Sequence, residues 1–251
     1  MNSEELLNEA ARKIRVSDKI LILTGAGISA ESGVPTFRGG GDTWRGMPFH
    51  ELSSAQKVEE DLPLVWEWFD YRRGVVAKCE PNAAHIAIAD AQRSGRFEEF
   101  TLATQNIDGL HRIAGSENLI ELHGHINTAR CLSCKTLVSL LTIPVEERPP
   151  VCSECEDSMR PHVVLFGEGL DEQDINTAFE KAENCDVCIV IGTSSVVYPA
   201  SSIPQIAKRA GAFCVEINPQ ETDLSGMFDI CIRMNATESV PKLFKDGNEG
   251  E

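Results

Sequence analysis

The sequence predicts an α/β protein built on a parallel sheet with helices on both faces, with a small cysteine-bearing ribbon set into it. Three observations carry that prediction. Short apolar and β-branched runs recur at Lys19 to Leu23, Phe100 to Thr104, Val187 to Ile191 and Phe213 to Ile217, each the length of a buried strand. Each run ends in glycine or in Ser, Thr, Asn or Gln, as expected where parallel strands build one ligand crevice at their C-terminal ends. Two Cys-x-x-Cys pairs, Cys131/Cys134 and Cys152/Cys155, stand 17 residues apart, the spacing of a four-thiolate zinc ribbon.

Length and composition bound the function. A chain of 251 residues, 42% apolar and 25% charged, suffices for one large domain or for a main domain with a smaller insert. The formal charge of −16 argues against a nucleic-acid partner, whose protein surfaces are basic, and suits basic peptides better. The first 15 residues place Leu6, Leu7, Ala10 and Ile14 at helical spacing, and Glu4, Glu5 and Glu9 make a poor presequence. No apolar run approaches the ~20 residues of a membrane span. The expectation is a monomer in the cytoplasm or another intracellular compartment, without a membrane partner, whose nine cysteines are thiols or metal ligands.

Taken in order, the first strand breaks into Thr24-Gly25-Ala26-Gly27-Ile28-Ser29-Ala30. Closely spaced glycines after a strand let a backbone approach a dinucleotide pyrophosphate, with a helix N-terminus supplying N–H donors. Here Gly33 and Pro35 cut that helix short, and the second strand with an acidic ribose ligand, expected of a dehydrogenase, is missing. Thr36-Phe37-Arg38-Gly39-Gly40-Gly41 instead suggests a flap, in which Arg38 meets a phosphate and Phe37 shields a reactive centre. Glu51 to Ala77 has a helical pattern, and at least two of Trp66, Trp68, Phe69 and Tyr71 are expected in the core. Pro81-Asn82 starts another helix, on which His85 reads as a structural histidine.

The run to Thr104 continues as Gln105-Asn106-Ile107-Asp108-Gly109-Leu110-His111, and the stretch closes on Glu121-Leu122-His123-Gly124. Two amides and a carboxylate at one strand end suit a carboxamide and ribose hydroxyls. After the ribbon, Val163-Val164-Leu165-Phe166-Gly167 reads as a strand, either buried or offering an edge to a peptide. Cys185 and Cys188 repeat the Cys-x-x-Cys spacing, but on a strand residues three apart face opposite sides, so they read as small core residues.

Together these motifs resemble the sirtuin family of NAD-dependent protein deacylases. The matching stretches are Gly25 to Gly33 with Pro35-Thr36-Phe37-Arg38, Thr104 to Asp108, His123-Gly124, the four cysteines, Phe166-Gly167-Glu168, Gly192-Thr193-Ser194-Ser195 and Ile217-Asn218. The resemblance implies a Rossmann-like NAD-binding domain made of 1–37, 80–128 and 157–245. It implies a small domain with a helical part, 38–79, and a zinc ribbon, 129–156; the tail, 246–251, is short, acidic and glycine-containing, and is expected to be disordered. An acyl-lysine protein or peptide would bind between the two domains.

The resemblance also implies site residues. His123 would be the general base, and Asn106 would share the catalytic site with it. Gly25, Ala26, Gly27, Ser29, Phe37, Arg38, Gln105, Asn106, Asp108, Gly192, Thr193, Ser194 and Asn218 would hold NAD. Phe69, Arg72, Val164, Phe166 and Gly167 would meet the substrate, and Cys131, Cys134, Cys152 and Cys155 would hold one structural zinc. His125, two residues past the base, reads as structural or solvent-facing.

The stretches Trp66 to Arg73 and Gly192 to Ala200 are most similar to the branch that removes succinyl, malonyl and glutaryl groups with a Tyr-x-x-Arg pair. Here Arg72 takes the arginine position and Phe69 stands in place of the tyrosine. Protein ADP-ribosyl transfer and, further off, nicotinamide-dependent redox chemistry are the competing readings.

Overall fold

The structure, a computed structural model, describes residues 2–36, 43–194 and 196–245. In chain order the strands are β1 (Lys19–Thr24), β2 (Thr43–Trp44), β3 (Met47–Pro48), β4 (Glu99–Thr104), β5 (Leu119–Glu121), β6 (Gly124–Cys131), β7 (Leu137–Ser139), β8 (Met159–Val163), β9 (Val187–Ile191), β10 (Phe213–Ile217) and β11 (Ile230–Ile232). The helices are α1 (Ser3–Arg15), α2 (Phe49–Leu52), α3 (Ala55–Glu60), α4 (Leu62–Val76), α5 (Ala83–Arg93), α6 (Leu110–Ile113), α7 (Glu172–Asn184), α8 (Ser202–Ala210) and α9 (Ala236–Leu243).

Six strands form one parallel sheet in the order β11-β10-β9-β1-β4-β5. Its strands are apolar on both faces because both faces are covered. Ile20 and Ile22 of β1 pack with Leu7 and Ile14 of α1, Ile88 of α5 and Val240 of α9. Leu21 and Leu23 point the other way, onto Ile175 and Ala178 of α7 and Ile203 and Ala207 of α8. The local signals are equally plain. Asn2 and Glu5 close a capping box on α1, and Asn82 caps α5 by accepting from Ala84 and His85. Among the described residues no helix is long and apolar enough to cross a membrane.

Beside the sheet, β6 pairs antiparallel with β7 and β8, and α4 packs across this second sheet. Trp66 fills its far side with Ala129, Cys131, Leu140, Cys152 and Met159, and its indole N–H donates to the Met159 carbonyl at 2.9 Å. Trp68 and Phe69 face a separate cluster with Leu52, Val65, Ile126 and Leu165. Burying side chains of this size stabilises by ~1.5–3 kcal/mol each. Tyr71 alone of the four aromatics is half exposed, stacked on Trp68 and tilted against Trp44.

Four sequence expectations need amendment. The strand expected over Val163 to Gly167 ends at Val163, and of the rest only Phe166 makes a lone bridge, to Ser54. Glu51 to Ala77 is three helices, because α2 has its C-cap at Ser53 and Ser54 caps α3, while Asp61 both ends α3 and caps α4. The glycine turn after β1 leads into two 3₁₀ turns, Ala26–Ile28 and Ala30–Ser32, and no α-helix. Cys185 caps the end of α7 rather than lying on β9, and it packs in the same cluster as Cys188. Both are still small core residues.

Candidate active site

Register puts the strand ends level. Ile232, Ile217, Ile191, Thr24, Thr104 and Glu121 form one row across the sheet, so the residues that follow them share one edge. In the middle of that edge two turns cross in contact. Gly27 N–H donates to the Gly192 carbonyl at 2.7 Å, and Gly25 N–H to that of Ile191 at 3.0 Å. A Cβ on Gly27 would lie 2.6 Å from the Gly192 Cα, and one on Gly25 2.7 Å from the Thr193 Cβ. Gly192 itself has φ +63°, a conformation that favours glycine. The crossing therefore requires glycine on both chains and leaves bare backbone facing the crevice.

To one side of the crossing, Ser29 is fully buried and acts as a hub. Its hydroxyl donates to Asp108 Oδ2 at 2.8 Å and accepts from the Asn106 amide at 3.1 Å. That amide also donates to the Gly25 carbonyl at 3.1 Å. Asp108 takes a second bond from the Leu110 N–H at 2.9 Å. Burial pushes the Asp108 carboxyl above its ordinary range, against the pull of these two donors. On the other side, Gln105 Nε2 donates to Thr193 Oγ1 at 3.0 Å, and Asn218 Nδ2 donates to the Thr193 carbonyl at 2.9 Å. Ser194, half-buried, follows on.

His123 stands two residues beyond β5, next to the end of β4. Its Nδ1 lies 2.7 Å from the Gln105 carbonyl oxygen. A carbonyl only accepts, so Nδ1 carries the proton and the neutral ring keeps its lone pair on Nε2. Burial lowers the ring's pKa below the ordinary value, with the Gln105 bond opposing. The backbone beside it is tight: a Cβ on Gly124 (φ +77°) would meet the His162 carbonyl oxygen at 2.2 Å. His125 is half-buried and accepts the Asn127 N–H on Nδ1, a structural bond at the start of β6.

The segment after β8 runs alongside. Val164 N–H donates to the His123 carbonyl at 2.9 Å, Phe166 N–H to that of Ser53 at 2.8 Å, and Ala55 N–H to that of Phe166 at 3.0 Å. It thereby ties His123 to the start of α3, with the Phe166 ring 63% exposed and Gly167 exposed behind it. From α4, the Arg72 guanidinium lies over the rings of Trp68 and Phe69, at 5.5 and 5.3 Å. Burial draws its pKa down to about 10 while the Asp108 carboxylate holds it up, so it remains a cation at neutral pH beside the Ser29 hub. Phe69 has no exposed surface.

The four ribbon cysteines converge, with all four sulfurs within 4.8 Å of one another and neighbouring pairs at 3.4 to 3.5 Å. A zinc–thiolate tetrahedron with bonds of ~2.3 Å has edges of about 3.8 Å, so the set fits one such ion. All four positions are protein sulfurs, which suits a structural role. Cys131 and Cys152 are buried against Trp66.

His85, structural in the sequence reading, is buried with Asn82 on one side, and its Nε2 also reaches Ser29 at 3.3 Å. His111 has no role that the sequence signals. It is buried with Nε2 3.0 Å from Thr24 Oγ1, and the Thr24 hydroxyl continues to Thr104 at 2.7 Å. The two imidazoles meet edge to face at 4.8 Å. Only their polar character on otherwise apolar faces hinted at this. Phe37, Arg38, Ser195 and the tail 246–251 lie outside the described residues.

Fold and site together define a nucleotide-binding α/β protein whose reactive corner is flanked by a thiolate metal module. Residues 25–199 match the Sir2 family, and the chain belongs to it. An NAD-dependent protein deacylase 1 from Caldanaerobacter subterraneus subsp. tengcongensis is 43% identical over 231 residues, 92% of this chain and 95% of that protein. A crystal structure of a Sir2 homologue–NAD complex superposes with a TM-score of 0.86 at 41% identity, covering 96% of this chain and 92% of the other. A Sir2 variant bound to a deacetylated p53 peptide and 3′-O-acetyl ADP-ribose is 28% identical, with a TM-score of 0.83 over 98% of this chain and 99% of that one.

Proposed function

We propose that this protein removes acyl groups from protein lysines in a reaction that consumes NAD and releases nicotinamide and O-acyl-ADP-ribose. The observation that carries the proposal is the His123–Gln105 bond, which leaves Nε2 as a proton acceptor at the row of polar strand ends. NAD supplies an electrophilic ribose carbon, to which the weakly nucleophilic amide oxygen of an acyl-lysine bonds as the nicotinamide–ribose bond breaks. The bare backbone at Gly25, Ala26, Gly27 and Gly192 suits the pyrophosphate. Gln105, Asn106, Ser29 and Asp108 orient the nicotinamide ribose and its carboxamide, while Thr193, Ser194 and Asn218 take the adenosine half. Positive charge builds on the sugar, so orientation in a buried site matters more than a strong base. His123 then accepts a ribose hydroxyl proton near neutral pH.

Relatives named as deacylases and the peptide-bound Sir2 complex support an acyl-lysine peptide as the second substrate, lying along Val164 to Gly167. The four cysteines hold one zinc ion that keeps the small domain, 38–79 with 129–156, against the NAD domain. The protein acts as a monomer inside the cell, without nucleic acid or membrane. For acyl groups that end in a carboxylate, Arg72 is the reader. Phe69 lacks the phenol that would add a second hydrogen bond, so acetyl and carboxylated acyl groups are both substrates.

A panel of peptides carrying acetyl, succinyl, malonyl and glutaryl lysine, incubated with NAD, tests this reading. One nicotinamide should appear per lysine freed, and none without peptide. Transfer of label from NAD to an unacylated protein would favour ADP-ribosyl transfer, and NADH formation would favour redox chemistry.

A further inference from the structure

The β10 strand carries a charge where a core residue is expected. Glu216 is only 1% exposed, one residue before the level row of strand ends, and a buried carboxylate is costly unless fully paired. Here it is. One oxygen accepts the Thr222 hydroxyl at 2.5 Å, and the other accepts the Ser225 hydroxyl at 2.6 Å and Arg233 Nη1 at 2.5 Å. Arg233 follows β11 and is partly exposed. It also donates to Ser225 Oγ at 2.8 Å and to the carbonyls of Asn218 and Gln220, both at 3.3 Å. The backbone N–H of Asn218 donates to the Ile232 carbonyl at 3.1 Å. The Asn218 side chain continues to Thr193, and Thr193 to Gln105.

Topology says what this chain of bonds serves. The Gly27–Gly192 crossing lies at the middle of the sheet edge, His123 and Asn106 lie on the β4–β5 side, and Asn218 and Arg233 lie on the β10–β11 side. A dinucleotide whose pyrophosphate sits at the crossing and whose reacting ribose faces His123 must lay its adenosine half over Asn218. We infer that Glu216 and Arg233 form a clasp that positions the Asn218–Gln220 corner for the adenosine half of NAD. They are positioning residues for co-substrate affinity, with no part in the chemistry. This inference rests on the deacylase reading above.

The test uses the full chain and the variants Glu216→Gln and Arg233→Gln. Glu216→Gln keeps the shape and one accepting oxygen, but it removes the ion pair and one of the two hydroxyl bonds. In both variants KM for NAD and Kd for ADP-ribose should rise about tenfold, the usual weight of a charged hydrogen bond. The kcat at saturating NAD and KM for the acetyl-lysine peptide should stay within about twofold. Arg233→Lys should recover part of the affinity. NAD KM within about twofold of wild type in both variants, or peptide KM and kcat moving in step with NAD KM, would overturn the clasp. Should Glu216→Gln not fold, Arg233→Gln decides alone, since its side chain is partly solvated. Wild-type protein that does not bind ADP-ribose would instead remove the deacylase reading, and the clasp with it.

Discussion

The Nδ1 atom of His123 and the carbonyl oxygen of Gln105, 2.7 Å apart, fix which nitrogen of the ring can take a proton. His123→Ala should abolish deacylation while circular dichroism and the melting temperature stay close to wild type, because the ring is only half-buried. The base works as neutral imidazole, and burial sets its pKa below 6.5. The acid limb of kcat/KM, which reports the free enzyme, should therefore have its midpoint below pH 6.5. A midpoint above 7 would contradict the assignment.

The buried imidazoles make stability fall in mild acid. His85 is held to about 4 and His111 to about 3, mainly by burial, against 6.5 when unfolded. Between those values the unfolded chain binds more protons, so stability is complete above pH 6.5 and is lost as pH drops. Each histidine contributes a slope of about 1.4 kcal/mol per pH unit. Urea unfolding at about pH 7, 6 and 5 should give a shallower decline in His111→Gln. An unchanged slope would show that His111 is not held neutral.

Gly27→Ala should be worse than an ordinary surface change. The new methyl would sit 2.6 Å from the Gly192 backbone, so one of the two turns must move. Overpacking of this kind costs ~1–3 kcal/mol and should weaken NAD binding more than it lowers the melting temperature. Calorimetric titration with NAD beside a thermal melt checks both.

Metal removal should act on the small sheet first. Metal analysis of purified protein should find one zinc per chain, since all four sulfurs lie within 4.8 Å of one another. A strong chelator should expose the Trp66 indole, packed on Cys131 and Cys152, and raise solvent quenching of tryptophan fluorescence. Activity should go with it, because α4 carries both Trp66 and Arg72. Full activity after complete zinc loss would rule out the structural role.

Arg72→Met should separate acyl groups. Arg72 remains charged beside Asp108, so its loss should lower kcat/KM for succinyl-lysine peptide by about tenfold or more. The value for acetyl-lysine should change much less. Equal losses on both substrates would make Arg72 a packing residue.

Much of this protein was legible because its signals are local. Lys19 to Leu23 and Val187 to Ile191 read as strands from five consecutive residues each, and each cysteine pair declares itself within four positions. Gly25 and Gly27 announce a backbone approach, since only glycine permits one. What the chain could not say by itself was which turn meets which. Gly27 touches Gly192, and His123 reaches the carbonyl of Gln105, only because the order β10-β9-β1-β4-β5 sets those strand ends side by side. His111 and Glu216 carry no motif; burial beside Thr24 and Arg233 gives them their partners. A sheet brings together residues far apart in sequence through backbone pairing that is blind to their side chains, so composition and spacing specified the strands, and tertiary register assembled the site.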